Sequence, residues 1–373
     1  MKVLMVTPYF LPHIGGMEIF VYKLCNRLYE KGIDVEVLTT AIPCEYNIDT
    51  PYRVDRVKPE AVIMRNPIAF GVFKKIKNKK FDIVHVHDEH AFVTNIVAFS
   101  KKAFRNPLII HSHGLFYPEN FLESIVITLY NNTLGKWSLK RADKVIALSR
   151  NDGKFIEKLG IEGDRIEIIP NAIDPADYNT NIYIDDFLEE YEVNDKKIIL
   201  YVGAIIKRKG LNFLIEAISL MRNKDNVKLV VIGEGSFKKK CQGMVRRLNL
   251  EGNIIFLGRI PREKLLKAFK AADVLVLPSL VEGVPTVILE ALIYRKPVVA
   301  FDIPEIREYF EDSVYLVPPK DVNMLAKAID KVLEDPKAIL KNISRGERVL
   351  RENFLWEVVI DKIIRVYEEL LSH

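Results

Sequence analysis

The chain has 373 residues, of which 49% are hydrophobic and 28% are charged, and its formal net charge is +5. This composition predicts a globular, soluble protein, because no apolar window reaches the roughly 18 residues that a membrane-spanning helix needs. The length suits two ordinary domains, and the mild charge, without a recurring basic and aromatic platform, argues against nucleic acid as a partner.

Cysteine usage and the first residues of the chain indicate a cytoplasmic protein. Cys25, Cys44 and Cys241 lie far apart in sequence and lack metal-binding or redox spacing, so reduced thiols are predicted. The first apolar run ends at Pro8, which is too short for a signal peptide and is typical of a first strand.

The first half of the chain alternates short apolar runs with amphipathic stretches. This alternation predicts a parallel, doubly wound sheet whose ligand-binding edge lies at the C-terminal ends of its strands. The predicted strands are residues 3–7, 34–39, 82–87, 108–111, 144–148 and 166–169.

Two segments of this half hold candidates for a binding site. Gly15 and Gly16 precede a predicted helix, where residues without a side chain let the backbone approach an anion closely. His113 follows the fourth predicted strand and precedes Gly114, so it is expected at the ligand-binding edge of the sheet.

Three further histidines, His85, His87 and His90, could suggest a metal site. Their neighbours are mostly apolar and include only two carboxylates, those of Asp88 and Glu89. The pattern therefore favours a strand and its following loop, with no metal, and His87 and Asp88 are candidates for lining a ligand site.

Two stretches of this half each allow two interpretations. One mixes lysines and apolar residues, which suits either a surface for anionic lipid headgroups or a solvated helix end. Its members are Lys74, Lys75, Lys77, Lys79 and Lys80, with Phe70, Val72, Phe73 and Ile76. The other, residues 116–137, is rich in Phe, Tyr and Leu, and it either covers a ligand pocket or packs as a helix pair.

The second half repeats the alternating pattern after an acidic stretch at residues 179–196, which is predicted to be a linker with a short helix. Its predicted strands are residues 198–202, 228–232, 254–256, 274–277 and 297–301. Two doubly wound lobes are therefore expected.

The turn after the first strand of this half is cationic. Lys207, Arg208 and Lys209 lie between Gly203 and Gly210, and several cations in a glycine-bounded loop suit a diphosphate. After the next strand, the sequence G-E-G at residues 233–235 begins like a dinucleotide fingerprint. Lys238 then occupies the third glycine position, which weakens that interpretation.

The stretch from residue 278 to residue 292 carries the strongest signal. It follows a buried strand, and Pro285 is predicted at the first position of a helix. The amides of Thr286, Val287 and Ile288 would then be free at the positive end of the helix dipole and form a phosphate seat.

Two carboxylates flank this predicted seat. Glu282 lies in the loop just before it, and Glu290 lies about one turn inside the helix. A phosphate ester that carries hydroxyl groups at both ends would suit this arrangement.

The string P-S-x-x-E-G-x-P with Glu282 and Glu290 resembles the signature of retaining glycosyltransferases of the GT-B fold, and is closest to family 4. Residues 170–174, P-N-A-I-D, resemble the family's P-N-G-V-D, with Ala172 in place of glycine. The resemblance implies an α/β fold of two doubly wound Rossmann-like domains facing an interdomain cleft. The acceptor-side domain would span residues 1–178 with a returning helix at about 354–373, and the nucleotide-sugar domain residues 197–353.

The resemblance also implies roles for single residues. Glu282 would contact donor-sugar hydroxyls and Glu290 the ribose, while the amides of Thr286 and Val287, beside Gly283 and Val284, would hold the diphosphate. Gly16 would face the donor phosphates, His113 would lie near the reacting sugar carbon, and Gly203, Gly233 and Arg259 would surround the nucleotide.

One position of the cationic turn also departs from the family pattern. Lys209 and Gly210 match it, but Ala204 stands where arginine usually follows the first glycine. Arg208 or Lys207 is left to supply the second charge, and His113, Glu282, Lys209 and Arg208 are the catalytic candidates.

The implied function is transfer of a sugar, with retained configuration, from a UDP- or GDP-sugar to a hydroxyl of a glycolipid, polysaccharide or small molecule. No cofactor or metal is expected, and the place of action is the cytoplasm or the inner membrane face. A phosphorylase, a sugar nucleotide epimerase, a dinucleotide oxidoreductase and an inactive scaffold stay open as alternatives.

Overall fold

The structure is a computed structural model, and it describes residues 1–43, 48–64, 66–114 and 121–372. Cys44 and residues 116–120 of the predicted aromatic stretch lie outside these ranges. The chain divides into two compact units, Met1–Ala172 with Trp356–His373, and Ile173–Leu355. Each unit has its own parallel sheet, which confirms the predicted α/β class.

The first unit is built on a seven-stranded parallel sheet in the order β3-β2-β1-β6-β7-β8-β9, and β4 and β5 form a separate antiparallel pair. The strands are β1 Lys2–Val6, β2 Asp34–Thr40, β3 Arg53–Val57, β4 Ala61–Ile63, β5 Asn66–Ile68, β6 Ile83–His87, β7 Leu108–His111, β8 Lys144–Ala147 and β9 Ile166–Ile168. The helices are α1 Gly16–Glu30, α2 Gly71–Lys77, α3 Phe92–Ser100, α4 Phe121–Tyr130, α5 Lys136–Leu139 and α6 Arg150–Lys158, with a π-helical turn at Asn131–Gly135.

The second unit has six parallel strands in the order β12-β11-β10-β13-β14-β15. Its elements, in chain order, are α7 Asp185–Glu190, β10 Lys197–Val202, α8 Leu211–Leu220, β11 Val227–Ile232, α9 Lys238–Arg247, β12 Ile254–Gly258, α10 Arg262–Ala271, β13 Val274–Leu277, α11 Thr286–Ile293, β14 Val298–Phe301, α12 Pro304–Phe310, β15 Tyr315–Val317, α13 Val322–Glu334 and α14 Pro336–Asn353. Lys264 and Lys267 of α10 pair with Glu190 and Asp186 of α7, so the acidic stretch is held by cations of the same unit.

The last helix, α15 Trp356–Leu371, packs in the first unit. Its apolar stripe contributes Trp356, Val359 and Ile363 to the buried cluster that holds Val3 and Met5 of β1. Leu4 and Val6, the alternate residues of β1, point to the opposite cluster. Successive strand residues face opposite sides, so the continuous apolar run of β1 supplies both layers of the core.

The predicted strands are confirmed to within two residues at each end, and β3, β15 and the short antiparallel pair of β4 and β5 were missed. β3 reads R-V-D-R-V, which lacks an apolar run because it lies at the edge of its sheet, and β15 is only three residues long. Among the described residues, no helix combines the length and apolarity required to cross a bilayer.

Candidate functional site

The start of α11 differs by one residue from the prediction. Pro285 is the N-cap residue, with an extended backbone, and Thr286 is the first helical residue. The amide of Ile288 already donates to the carbonyl oxygen of Pro285 at 3.0 Å, so the prediction that it is free is wrong. The amides of Thr286 and Val287 stand at the first two helical positions, where no intrahelical acceptor exists, and Thr286 is exposed.

Glu282 and Lys209 form a close ion pair beside this helix start. The Nζ atom of Lys209 lies 2.6 Å from both carboxylate oxygens of Glu282, and Glu282 is only 5% exposed. The sequence predicted both residues at the site but did not predict that they contact each other. The pair therefore presents a fixed acceptor and a fixed cation at one place in the second unit.

Arg208 is the cation that lies next to this pair. Its guanidinium Nη1 donates to the carbonyl oxygen of Val281 at 3.3 Å, and its own carbonyl accepts from the amide of Leu280 at 2.8 Å. Lys207 is exposed to solvent, and Ala204, at the position of the missing arginine, has no charged side chain. Of the two replacements considered for the missing arginine, Arg208 is the one that this geometry favours.

Close backbone contacts explain two of the glycines. Gly210 has φ +71, and a Cβ atom there would lie 1.8 Å from the carbonyl oxygen of Pro278. Gly233 has φ +141, and a Cβ atom there would lie 1.9 Å from the carbonyl oxygen of Gly203. Only glycine allows these loops to approach so closely, which aligns the ends of β10, β11 and β13.

Glu290 has two partners that the sequence did not reveal. Its Oε1 atom accepts from the hydroxyl of Tyr178 at 3.1 Å and from Nη1 of Arg262 at 2.8 Å. The Arg262 guanidinium also lies 4.5 Å from the centre of the Tyr178 ring. Burial, and then the charge of Glu290, raise the pKa of Tyr178, so the tyrosine acts as a neutral donor. Tyr178 and Arg262 stand 112 and 28 residues from Glu290, so no local spacing could signal the contact.

The remaining candidate residues of the second unit lie in loops that follow the C-terminal ends of strands. Gly233 follows β11, and its amide donates to the carbonyl oxygen of Gly258 at 2.8 Å, which ties the two loops together. Arg259, directly after β12, is exposed. Gly283 and Val284 lie in the loop between β13 and α11, and Val284 is buried.

In the first unit, Gly16 is the first residue of α1 and Gly15 is its N-cap. No atom lies within 4 Å of where a Cβ of Gly16 would be, so space does not require glycine there. The carboxylate of Glu18, which is 5% exposed, faces Gly15 and lies 3.2 Å from Nδ1 of His13. An acidic side chain thus already lies at the positive end of this helix.

His113 belongs to a group of four histidines, in which His85, His87 and His111 are fully buried and His113 itself is half-buried. His85 and His87 lie on β6, as the favoured interpretation of that stretch predicted, His111 ends β7, and His113 follows it. Nε2 of His85 lies 3.3 Å from Nδ1 of His111, and Nδ1 of His87 lies 2.8 Å from Nε2 of His113. Burial lowers the pKa of His85 and of His113 to about 3, and lowers those of His87 and His111 well below the usual value.

Ligand atoms of His85, His87 and His111 lie within 4.8 Å of one another. Their ring nitrogens are engaged mainly with protein groups, since Nδ1 of His85 lies 2.6 Å from the Tyr367 hydroxyl and Nε2 of His87 lies 2.8 Å from Sδ of Met5. The rings also stack, with His85 and His111 inclined by 7°. This arrangement suits a hydrogen-bonded chain of neutral rings.

The chain has two parallel Rossmann-like sheets, with candidate residues at the C-terminal ends of their strands. This architecture is that of the GT-B class of proteins. Residues 14–177 match Glycosyltransferase Family 4, and residues 184–348 match Glycosyl transferases group 1. The chain therefore belongs to the group 1 glycosyltransferases of family 4 and is a glycosyltransferase, which confirms the resemblance seen in the sequence.

Similar proteins cover the whole chain. An uncharacterized glycosyltransferase of Methanocaldococcus jannaschii is 27% identical over 99% of this chain and 98% of its own length. The phosphatidylinositol N-acetylglucosaminyltransferase GPI3 subunit of Saccharomyces cerevisiae is 24% identical over 100% of this chain and 83% of its own length. The crystal structure of Anabaena HepE in complex with UDP has a TM-score of 0.79 and 20% identity, covering 100% of both chains.

Proposed function

We propose that this glycosyltransferase moves a sugar from a nucleoside diphosphate sugar to an acceptor hydroxyl and retains the anomeric configuration. The observation that carries the proposal is the Lys209–Glu282 pair, at 2.6 Å, beside the open amides that begin α11. One turn further along, Glu290 is held by Tyr178 and Arg262. A diphosphate with a sugar on one side and a ribose on the other matches this sequence of groups.

The main barrier of such a reaction is charge separation, because positive charge grows on the sugar while the diphosphate leaves. Lys209, Arg208 and the amides of Thr286 and Val287 would stabilise the developing negative charge. Because these groups are fixed by the fold before substrate binds, they need little reorganisation during the reaction. Glu282 would position the donor sugar, which requires its carboxylate to exchange part of its contact with Lys209 for sugar hydroxyls.

The remaining candidates would complete the donor site. Glu290 would accept hydrogen bonds from the ribose, and Gly203, Gly233 and Arg259 would line the nucleotide. From the first unit, His113 would lie near the reacting carbon and Gly16 near the phosphates. We propose same-face attack by the acceptor, since a double displacement would need a carboxylate close to the anomeric carbon.

The donor is proposed to be a UDP-sugar, with a GDP-sugar as the second choice. Support for UDP comes from HepE, which has the same fold and was crystallised with UDP. A lipid-linked acceptor is supported by the similarity to the GPI3 subunit, whose name includes phosphatidylinositol. A growing polysaccharide and a small metabolite are the other acceptor classes.

The experiment is hydrolysis and transfer with a panel of UDP-, GDP- and ADP-sugars, with the anomeric configuration of the product read by NMR. We expect one nucleotide class to be preferred, product formation to depend on an acceptor hydroxyl, and the configuration to be retained. Glu282→Ala should lose most activity, and an exposed carboxylate far along the same unit, Glu334→Gln, is the matched control. Full activity of Glu282→Ala, or product formed by epimerisation without an acceptor, would contradict the proposal.

We also propose that the first unit touches an anionic membrane, at the inner face in the cytoplasm. α2 separates an apolar groove of about 570 Å³ from a hollow lined by basic side chains. The groove is lined mainly by Ile68, Phe70, Phe73, Phe92, Phe99 and Trp137. Phe70 and Phe99 are 61% and 65% exposed, and Lys74 lines both the groove and the basic hollow.

Aromatic rings beside lysines are the chemistry that binds an anionic interface, because the rings enter the headgroup region and the cations attract the lipid phosphates. The test is sedimentation of the full chain with vesicles of phosphatidylcholine alone or mixed with phosphatidylglycerol. We expect binding only to the mixed vesicles, weakened by salt and by Phe99→Ser or Lys74→Glu, with Lys158→Glu as the control for charge. Equal binding to both vesicle types, or none to either, would overturn this contact.

A further inference from the structure

A chain of hydrogen bonds leads from the core of the first unit to His113. It begins at the Sδ atom of Met5, which lies 2.8 Å from Nε2 of His87. It continues from Nδ1 of His87 to Nε2 of His113, again at 2.8 Å. Met5 and His87 are fully buried, so water does not compete for these contacts.

The methionine fixes which nitrogen of His87 carries the proton. A thioether sulfur accepts hydrogen bonds and cannot donate them. His87 is neutral, because burial lowers its pKa well below the usual value, so its ring carries one N–H group. With that proton on Nε2, the N–H points to sulfur; with the proton on Nδ1, a buried lone pair would face the lone pairs of the sulfur atom. The Nε2–H form is therefore favoured.

This choice determines the form of His113. If His87 has no proton on Nδ1, that nitrogen is an acceptor, and Nε2 of His113 must donate to it. His113 is neutral as well, so its other nitrogen, Nδ1, then carries a lone pair. The ring is held in place by stacking on His111, with centroids 4.7 Å apart and planes inclined by 10°, and by the edge contact with Phe20 at 5.4 Å.

We propose that Met5 and His87 are positioning residues that hold His113 as its Nε2–H tautomer, so that Nδ1 accepts a hydrogen bond from a hydroxyl group of the bound sugar. The second part rests on the proposed function. Among the described residues, the His113 ring forms its hydrogen bond with His87 through Nε2, so Nδ1 of His113 is available to a ligand. A tautomer fixed in this way selects a hydroxyl donor at this point and disfavours a phosphate oxygen, which can only accept.

The first experiment reads the tautomers without any substrate. In the full chain labelled with ¹⁵N-histidine, long-range proton–nitrogen correlation spectra should show both His113 and His87 as Nε2–H tautomers. Spectra of His113→Gln and His87→Gln identify which signals belong to which ring. Met5→Leu keeps the volume and removes the acceptor, so a fraction of both rings should change to Nδ1–H. Met221→Leu, a buried methionine of the second unit, is the matched control and should change neither ring. A native His113 protonated on Nδ1, or tautomers indifferent to Met5→Leu, would overturn the proposal.

The second experiment measures steady-state kinetics with the preferred donor. When only a fraction of molecules has the competent tautomer, the apparent dissociation constant is the intrinsic one divided by that fraction. Met5→Leu should therefore raise the donor KM about two- to fivefold with kcat nearly unchanged. If Met5→Leu shifted the tautomer but left the donor KM unchanged, the proposed hydrogen bond from a sugar hydroxyl to Nδ1 of His113 would be contradicted. If the native protein turned over no nucleotide sugar, the proposed function would fail while the spectra would still decide the tautomer.

Discussion

At the scale of single residues, the contact between Lys209 and Glu282 bears on stability as well as on the binding role that we propose for both side chains. The Glu282 side chain is 6% exposed and the Lys209 side chain 19% exposed, so the two ends of the ion pair differ in their access to water. A buried carboxylate without its cation is costly, whereas a lysine without its carboxylate can turn its ammonium group toward solvent.

This asymmetry leads to a stability prediction for the unliganded protein. Lys209→Met should lower the free energy of unfolding of the second unit by about 3 kcal/mol, because it leaves the carboxylate of Glu282 buried without a partner. Glu282→Gln should lower it by about 1 kcal/mol, because the amide keeps one acceptor for Lys209. Urea unfolding followed by hydrogen exchange in the second unit measures both, and the double variant completes the cycle. Equal losses for the two single variants would contradict the asymmetry.

At the scale of secondary-structure elements, the loops that follow β10 and β13 meet through backbone atoms. The amide of Leu280 donates to the carbonyl oxygen of Arg208 at 2.8 Å, and Gly210 lies against the carbonyl oxygen of Pro278. These contacts place the cationic turn beside the loop that carries Glu282. The site therefore depends on the close approach of two loops as well as on its charged side chains.

Two glycine substitutions with opposite expected signs test this packing. Gly210→Ala should destabilise the second unit by at least about 2 kcal/mol, because the new methyl group overlaps a backbone oxygen at a positive φ. Gly243→Ala, in α9, should stabilise the unit by about 0.5–1 kcal/mol, because no atom lies within 4 Å of the new carbon and alanine favours a helix. Thermal unfolding of both variants measures the difference. A neutral Gly210→Ala would show that the loops can separate at little cost.

Most of the strands could be predicted from the sequence, because apolar runs bounded by glycine and proline mark buried parallel strands. The same signal failed for β3 and β15, which lie at sheet edges and bury less apolar surface. At the site, the sequence predicted Glu282, Lys209 and Glu290, because these belong to local motifs. It missed Tyr178 and Arg262, since contacts across 112 and 28 residues leave no periodic pattern, and it predicted a free amide at Ile288 because the proline position was shifted by one residue.

At the scale of the whole molecule, the two units differ in their histidines. His85, His87, His111 and His113 all lie in the first unit and stay neutral because burial lowers their pKa values. In the unfolded chain they would bind protons near the ordinary value of 6.5, so the unfolded state holds more protons below that pH. The stability they contribute is thus complete above pH 6.5 and is lost as pH falls toward 3.

We therefore predict that the first unit unfolds before the second on acidification. Each neutral histidine removes about 1.4 kcal/mol of stability per pH unit below 6.5, and the raised pKa values of Asp88 and Glu89 offset only part of this in the lower end of the range. Both tryptophans, Trp137 and Trp356, lie in the first unit, so their fluorescence reports on it alone.

The measurement compares tryptophan fluorescence with far-ultraviolet circular dichroism during an acid titration. We expect the fluorescence change at a higher pH than the loss of total helix and strand signal. Coincident transitions, or fluorescence that stays native down to the pH where the whole chain unfolds, would contradict the difference between the units.

The proposed function requires a nucleoside diphosphate to bind at the start of α11, held by groups of the second unit. Calorimetric titration of UDP, with GDP in parallel, into the full chain tests this most directly. We predict one bound diphosphate per chain and a Kd that rises about tenfold or more in Glu290→Gln, since a hydrogen bond to a charged acceptor is weakened, whereas Glu334→Gln should bind as the native protein does. If neither diphosphate bound, or if Glu290→Gln bound with unchanged affinity, the proposed binding site would be contradicted.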